Sequence, residues 1–209
     1  MLTMKRDLFH GVFGHVSPDV LRGNRYTSPA DLECLVALAR SIGAKHFMEF
    51  GVAEGWTAAL MEREVETLRH YTGFDVTPTF TPALAGQRSE VPSEGRLAWQ
   101  LTANKVRRYD TMKITALPAG TAMLAGSDVP KADIAWIDGD HSREGVLRDT
   151  ELARAAVPEG ILAWHDYGNA SVEVTAALDS LSGLGWPLVH VEGGWLVFMF
   201  CRAHVRVSM

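Results

Sequence analysis

The sequence is short of cysteine: Cys34 and Cys201 stand far apart with no C-x-x-C pair, so neither a disulfide scaffold nor a cysteine zinc site is available. Reduced, cytoplasmic chemistry is the expectation. Long apolar runs are also missing. The longest, from Trp195 to Cys201, is too short to cross a bilayer, and Met1 to His10 carries charge with no apolar stretch behind it, so no membrane span or signal peptide is expected. Nor is there a surplus of positive charge. With 20 Lys and Arg against 25 Asp and Glu the formal charge is −5, which disfavours nucleic acid, a partner bound by neutralising phosphates. There is no internal repeat and no low-complexity tract. What remains is ordinary globular material, 47% hydrophobic and 22% charged over 209 residues, enough for one domain with a proper core.

Within that material, short apolar strands alternate with helical stretches. Ser28, Pro29 and Asp31 open a helix in which Leu32, Leu35, Val36 and Ala39 share a face, and Gly43 ends it. Strands are predicted over 46–50, 70–75, 111–117, 132–137 and 161–164, with helices over 57–67, 144–156 and about 172–181. This alternation predicts an α/β fold with a doubly wound, mostly parallel sheet. Residues 187–192 and 195–202, joined by Gly193-Gly194, read as an antiparallel hairpin that closes the sheet. Residues 1–45 form an N-terminal arm and helix. Residues 77–95, with Pro78, Pro82 and Pro92, read as a lid loop within one domain spanning 1–209.

In such a sheet ligands sit beyond the carboxyl ends of the strands, and the residues there are unusually polar. The first strand ends in Glu49-Phe-Gly51-Val-Ala-Glu-Gly55, which allows a tight turn and a close approach of backbone to ligand. Asp75, ending the second, stands where an acid can accept from ribose hydroxyls, so an adenosine-type ligand is implied. Ala53 replaces the middle glycine of a dinucleotide fingerprint, and no Gly-Lys-Ser/Thr triphosphate loop is present. Gly51 and Gly55 have a plainer reading as well, in which they only turn the strand into the helix.

Asp138-Gly139-Asp140-His141 and His165-Asp166 follow the next two central strands. Neighbouring strand ends lie about 5 Å apart, so Asp138, His165 and Asp166 can converge on one cation. An imidazole suits magnesium poorly and favours manganese, iron or zinc. Other readings stand beside this one. Asp138 can accept from the turn and cap the helix near Arg143, His141 can be an ordinary histidine paired with a carboxylate, and His165 can be a pocket wall. Asp140, Asp149 and Glu151 read as surface or cap residues, and Trp136, Trp164 and Trp195 as core. His10 and His15 have the option of folding over the site.

Taken together, E-F-G-V-A-E-G, then G-F-D, then A-D-I-A-W-I-D-G-D-H-S-R-E-G-V-L-R-D and P-E-G-I-L-A-W-H-D-Y resemble the small class I S-adenosylmethionine-dependent methyltransferases, in the branch with macrocin-type O-methyltransferases. The resemblance runs from residue 28 to residue 167 and implies a Rossmann-like fold. It implies that Glu49, Gly51 and Gly55 shape the pocket for the methionine part, that Asp75 holds the ribose, and that Gly120 and Thr121 lie near the adenine. Asp138 would serve both the cofactor and a divalent cation, magnesium or manganese, shared with His165 and Asp166. His141, three residues after Asp138, would be the general base. His165 departs from the second acid usual in metal-dependent relatives. The expected reaction is methyl transfer from S-adenosylmethionine to an oxygen of a small-molecule acceptor such as a sugar or phenol, with the apolar last strand available for a homo-oligomer. The alternatives are an NAD(P)-dependent oxidoreductase on the same architecture and a non-catalytic cofactor-binding protein.

Overall fold

The computed structural model describes residues 1–16, 27–53, 55–76 and 109–202, and the expected lid at 77–95 lies outside them. In chain order the elements are β1 (Leu2–Met4), α1 (Arg6–Phe13), α2 (Pro29–Ser41), β2 (His46–Phe50), α3 (Trp56–Glu64), β3 (His70–Val76), β4 (Thr111–Leu117), β5 (Ile134–Ile137), α4 (Arg143–Ala156), β6 (Gly160–Trp164), α5 (Val174–Gly183), β7 (Val189–Val191) and β8 (Val197–Cys201). The eight strands make one sheet in the order β1-β7-β8-β6-β5-β2-β3-β4. All pairings are parallel except those of β8 with β6 and β7. The expected α/β, doubly wound sheet with a closing antiparallel hairpin is therefore present.

Alternation along the strands sends successive side chains to opposite faces and builds two cores. Phe47, Tyr71, Trp136, Ile161 and Phe198 pack with Phe9, Leu35 and Met61 on the face covered by α1, α2 and α3. Met48, Phe50, Ile137, Trp164 and Met199 pack with Val146, Leu152 and Leu178 on the face covered by α4 and α5. The Trp164 indole N–H, buried in the second core, donates to Thr150 Oγ1 at 2.9 Å.

Two helices start on caps that the sequence displays. The Ser28 hydroxyl accepts from Asp31 N at 3.1 Å, and the Ser142 hydroxyl accepts from Gly145 N at 3.0 Å. Such a cap contributes about 1 kcal/mol. Helix α2 departs from the one-sided pattern expected of it, because its residues from Asp31 to Ala39 are all buried. The cause is the N-terminal arm. It forms β1, which pairs with β7 (Leu2 opposite Val189), and α1, which lies on α2. The hairpin strands are shorter than expected because Trp195 lies outside them, beyond a turn with Gly193 at φ 81°.

Strand order reverses at the middle of the sheet: the chain leaves β2 to add β3 and β4 on one side, then returns to place β5 on the other. The crevice between the carboxyl ends of β2 and β5 is where a sheet of this kind takes its ligand. The backbone there is drawn tight, with Asp138 N donating to Phe50 O at 2.9 Å.

Candidate active site

The turn after β2 is built by close approach. Gly51 has φ 87° and Gly55, the N-cap of α3, has φ 77°. A Cβ on Gly51 would lie 2.1 Å from the Asp138 carbonyl oxygen, so only glycine lets the ends of β2 and β5 meet. Between them Ala53 takes φ 46°, a left-handed conformation that costs a residue with a Cβ about 1–2 kcal/mol. Glu54 lies outside the described residues. Asp75 holds the turn: its Oδ2 accepts from Val52 N at 2.8 Å and Ala53 N at 2.6 Å, and its Oδ1 from Val76 N at 2.6 Å. Burial raises its pKa, and the bonds from Ala53, Val76 and Val52 work against that rise.

Glu49 lies beneath the turn rather than in it. Its side chain is buried on the face of α2 and α3 and accepts from Tyr71 OH at 2.5 Å. Burial pushes its carboxyl well above the usual range despite that bond. After β4, Gly120 takes φ 67° and the Thr121 hydroxyl donates to Asp149 Oδ1. The sequence reading of Asp149 as a surface or cap residue is overturned. Asp149 is buried on the inner side of α4, with Oδ2 3.2 Å from where a Gly139 Cβ would stand, and burial pushes its pKa up to about 7. Helical spacing puts Asp149 on the same face as Val146 and Leu152, but an acid there reads as solvent-facing; the turn of Asp138 to Asp140 folds down onto that face and buries it. Asp140 and Glu151 do match their reading, Asp140 Oδ1 accepting from Ser142 N at 2.9 Å and Glu151 lying exposed.

At the ends of β5 and β6 the structure brings together Asp138, His141, His165 and Asp166. His165 Nδ1 lies 3.3 Å from Asp138 Oδ1 and 3.6 Å from Asp166 Oδ1. His141 Nε2 lies 3.4 Å from Asp138 Oδ1 and 3.2 Å from Asp166 Oδ2. One ligand atom each from Asp138, His165 and Asp166 falls within 4.8 Å of the others, a spacing at which the three can share one ion. Asp166 is held in place at φ 64°, with Asn169 Nδ2 donating to its Oδ1 at 3.0 Å. The backbone carbonyl of His141 accepts from Glu173 N at 3.0 Å, which ties its loop to the start of α5.

The electrostatics follow from this pairing. Burial alone would lower the pKa of His165, but the Asp138 carboxylate, with Asp31 and Asp166, pushes it up to about 10. Burial likewise opposes ionisation of Asp138, yet His165 and His141 hold its pKa well below the usual carboxylate range. The pKa of His141 is raised, its desolvation outweighed by Asp138 and Asp166.

Three neighbours carry no signal in the sequence. Asp31, read only as an acid of the first helical turn, lies 3.4 Å through Oδ2 from His165 Nε2. Asn169 braces Asp166. Trp195, expected in the core, is 43% exposed, and its ring stands 5.8 Å from that of His165, while Trp136 flanks His165 at 5.5 Å and is buried as expected. Trp164 is buried too. His10 and His15 face Glu33 of α2 at 3.7 and 3.2 Å, and among the described residues they make no contact with this cluster.

A family model described as a methyltransferase domain matches residues 48–167, more than half of the chain. The chain belongs to this methyltransferase family. The matched stretch holds every site residue named from the sequence, whereas Asp31 and Trp195 of this methyltransferase lie outside it. No curated protein matches it. In fold this methyltransferase is similar to the SAH-bound Podospora anserina methyltransferase PaMTH1, at TM-score 0.59 and 14% identity over 94% of this chain and 93% of that one. It is also similar to the Bacillus cereus O-methyltransferase in complex with SAH, at TM-score 0.55 and 12% identity over 93% and 96%. A third likeness is to the Streptomyces achromogenes O-methyltransferase TomG in complex with SAM, at TM-score 0.54 and 13% identity over 94% and 96%. The oxidoreductase alternative gains nothing from these matches.

Proposed function

We propose that this methyltransferase transfers a methyl group from S-adenosylmethionine to an oxygen of a small-molecule acceptor, with a divalent cation held by Asp138, His165 and Asp166. The observation that carries the reading is the meeting of a base, His141, with two carboxylates and a second imidazole at one end of the sheet, beside the left-handed glycine turn.

The residues suit S-adenosylmethionine. A carboxylate offers about four acceptor positions, and backbone N–H groups take three of those on Asp75, which leaves room for a ribose hydroxyl. Gly51 and Gly55 present bare backbone to the methionine part, with Glu49, held by Tyr71, as a fixed floor, and Asp138 closes the crevice opposite. Gly120 and Thr121, held by Asp149, take the adenine side. The cofactor supplies an activated methyl group, so the protein has chiefly to align an oxygen in line with it and remove a proton.

Nε2 of His141 faces Asp138 and Asp166, which fixes its N–H toward the carboxylates. Among the described residues Nδ1 has no hydrogen-bond partner, so it is the nitrogen that would take the proton as the O–H bond breaks and the O–C bond forms, with the methyl–sulfur bond of S-adenosylmethionine breaking to leave S-adenosylhomocysteine. A cation bound beside it would lower the hydroxyl's pKa.

The test measures S-adenosylhomocysteine and methylated product with sugar and phenol acceptors, before and after exhaustive EDTA treatment. Activity lost with EDTA and restored by manganese supports the reading. Undiminished turnover without bound metal would remove the cation and leave Asp138 and Asp166 to orient His141 alone. Failure to methylate any oxygen acceptor, with S-adenosylhomocysteine still bound, would remove the acceptor class.

A further inference from the structure

One buried acid of the cluster has no part in that chemistry. Asp31 is 1% exposed, in the first turn of α2, and is held from three sides. Ser28 Oγ donates to its Oδ2 at 2.7 Å, Trp195 N donates to its Oδ1 at 3.0 Å, and a Cβ on Gly194 would come within 2.0 Å of Oδ1. So rigidly placed a carboxylate must be matched by something on its remaining side, and what it meets is Nε2 of His165 at 3.4 Å. That nitrogen is fully buried and has no hydrogen bond of ordinary geometry, and the acid that faces it among the described residues is Asp31, at ion-pair distance. The opposite ring nitrogen, Nδ1, looks into the space between Asp138 and Asp166. Trp136 and Trp195 flank the ring, with centroids 5.5 and 5.8 Å from its own.

We propose that Asp31 is a positioning residue: it holds the proton of His165 on Nε2, presents Nδ1 as a nitrogen ligand between Asp138 and Asp166, and so makes the site one for a transition-metal ion of the manganese, cobalt or zinc kind in preference to magnesium. The physical basis is general. A metal-ligating histidine donates its other N–H to an acceptor that fixes the tautomer and makes the ligating nitrogen more basic. Magnesium gains little from a nitrogen donor, whereas first-row transition ions gain much. This inference rests on the cation reading above.

The experiment compares the metal-stripped full-length protein with Asp31→Asn and His165→Asp. Cobalt binding is followed by its visible absorption, magnesium binding by calorimetry, and S-adenosylhomocysteine binding reports an intact fold. The parent should take cobalt well above magnesium. Asp31→Asn should weaken cobalt binding by about 10–100-fold with a smaller change for magnesium, and His165→Asp, with three oxygen ligands, should reverse the preference. Cobalt affinity unchanged in Asp31→Asn, or cobalt and magnesium falling together, would overturn the role of Asp31 and leave the cation reading standing. A parent that binds S-adenosylhomocysteine but neither ion would overturn both. A measurement on the parent alone guards against a variant that does not fold. In the zinc-loaded protein, the ring nitrogens of the imidazole missing from a His165→Gln spectrum should show metal on Nδ1 and a proton on Nε2, and ligation through Nε2 would overturn the proposal.

Discussion

The end of β2 and the ends of β5 and β6 lie side by side but are built on different principles. The first is backbone against backbone: Gly51 against the Asp138 carbonyl, and the amides of Val52 and Ala53 gathered on Asp75. The second is charge against charge, with three carboxylates and two imidazoles within ion-pair distance of one another. A site made by close approach is intolerant of a single added atom and largely indifferent to charge. A site made by balanced charges tolerates changes of shape but not the loss of one partner, since the group left behind is buried and uncompensated.

The sharpest way to break that contrast is Gly51→Ala. A methyl 2.1 Å from a carbonyl oxygen, on a residue at φ 87°, must push β2 and β5 apart, and the variant should lose at least about 3 kcal/mol of stability in chemical denaturation. A loss below about 1 kcal/mol would show that the two strand ends do not have to touch. On the charged side, His141→Ala should lower turnover roughly 10²–10⁴-fold while S-adenosylhomocysteine still binds. Retained turnover would move the base elsewhere. Asp75→Ala straddles the two regions, since it removes the anchor of the turn together with the acceptor proposed for the ribose. Its affinity for S-adenosylhomocysteine, read by calorimetry, should fall by about 1–3 kcal/mol, and an unchanged value would place the ribose off this acid.

The smallest effect concerns the acid beneath the charged turn. With its pKa pushed up to about 7 against 3.8 for an unperturbed group, Asp149 keeps its proton in the folded protein at pH values where the unfolded chain has lost it. Stability from this group therefore falls as pH rises between those two values and levels off above the higher one. Asp149→Asn removes the dependence, so the variant should gain on the parent by about 1–3 kcal/mol across that window in parallel denaturation series. A difference that stays flat with pH would mean that Asp149 is ionised in the fold.

The same contrast explains what could be read from the sequence. The glycine turn, Asp75 and the D-G-D-H and H-D-Y segments were legible because each lies where its own strand ends, and a parallel sheet gathers those ends at one edge. Asp31 was not legible. Its local pattern, three residues after a capping serine, fully accounted for it, and its contact with His165 depends on the arm, α2 and the hairpin all docking at once. Asp149 was misplaced because an acid on an amphipathic helix reads as solvent-facing unless a loop is known to fold beneath it. Trp195 was misplaced because an aromatic beside a strand reads as core, whereas the turn lifts it onto the ring of His165. Strand β1, only three residues long, has no period to detect.

The hairpin between β7 and β8 also limits how the protein can be altered. Because β8 runs against its neighbours, its connection to β7 falls at the same end of the sheet as the candidate site, and that connection is clamped: Gly193 turns left-handed, Gly194 lies against Asp31, and the Trp195 amide is bonded to it. One residue inserted there would shift the amide and the indole by a residue's length, about 3.3 Å, and withdraw the one from Asp31 and the other from His165. Loop grafting or length variation, the usual means of retuning an enzyme's pocket, is therefore closed on this wall. Variants made to accept new substrates have to be sought in connections other than this turn.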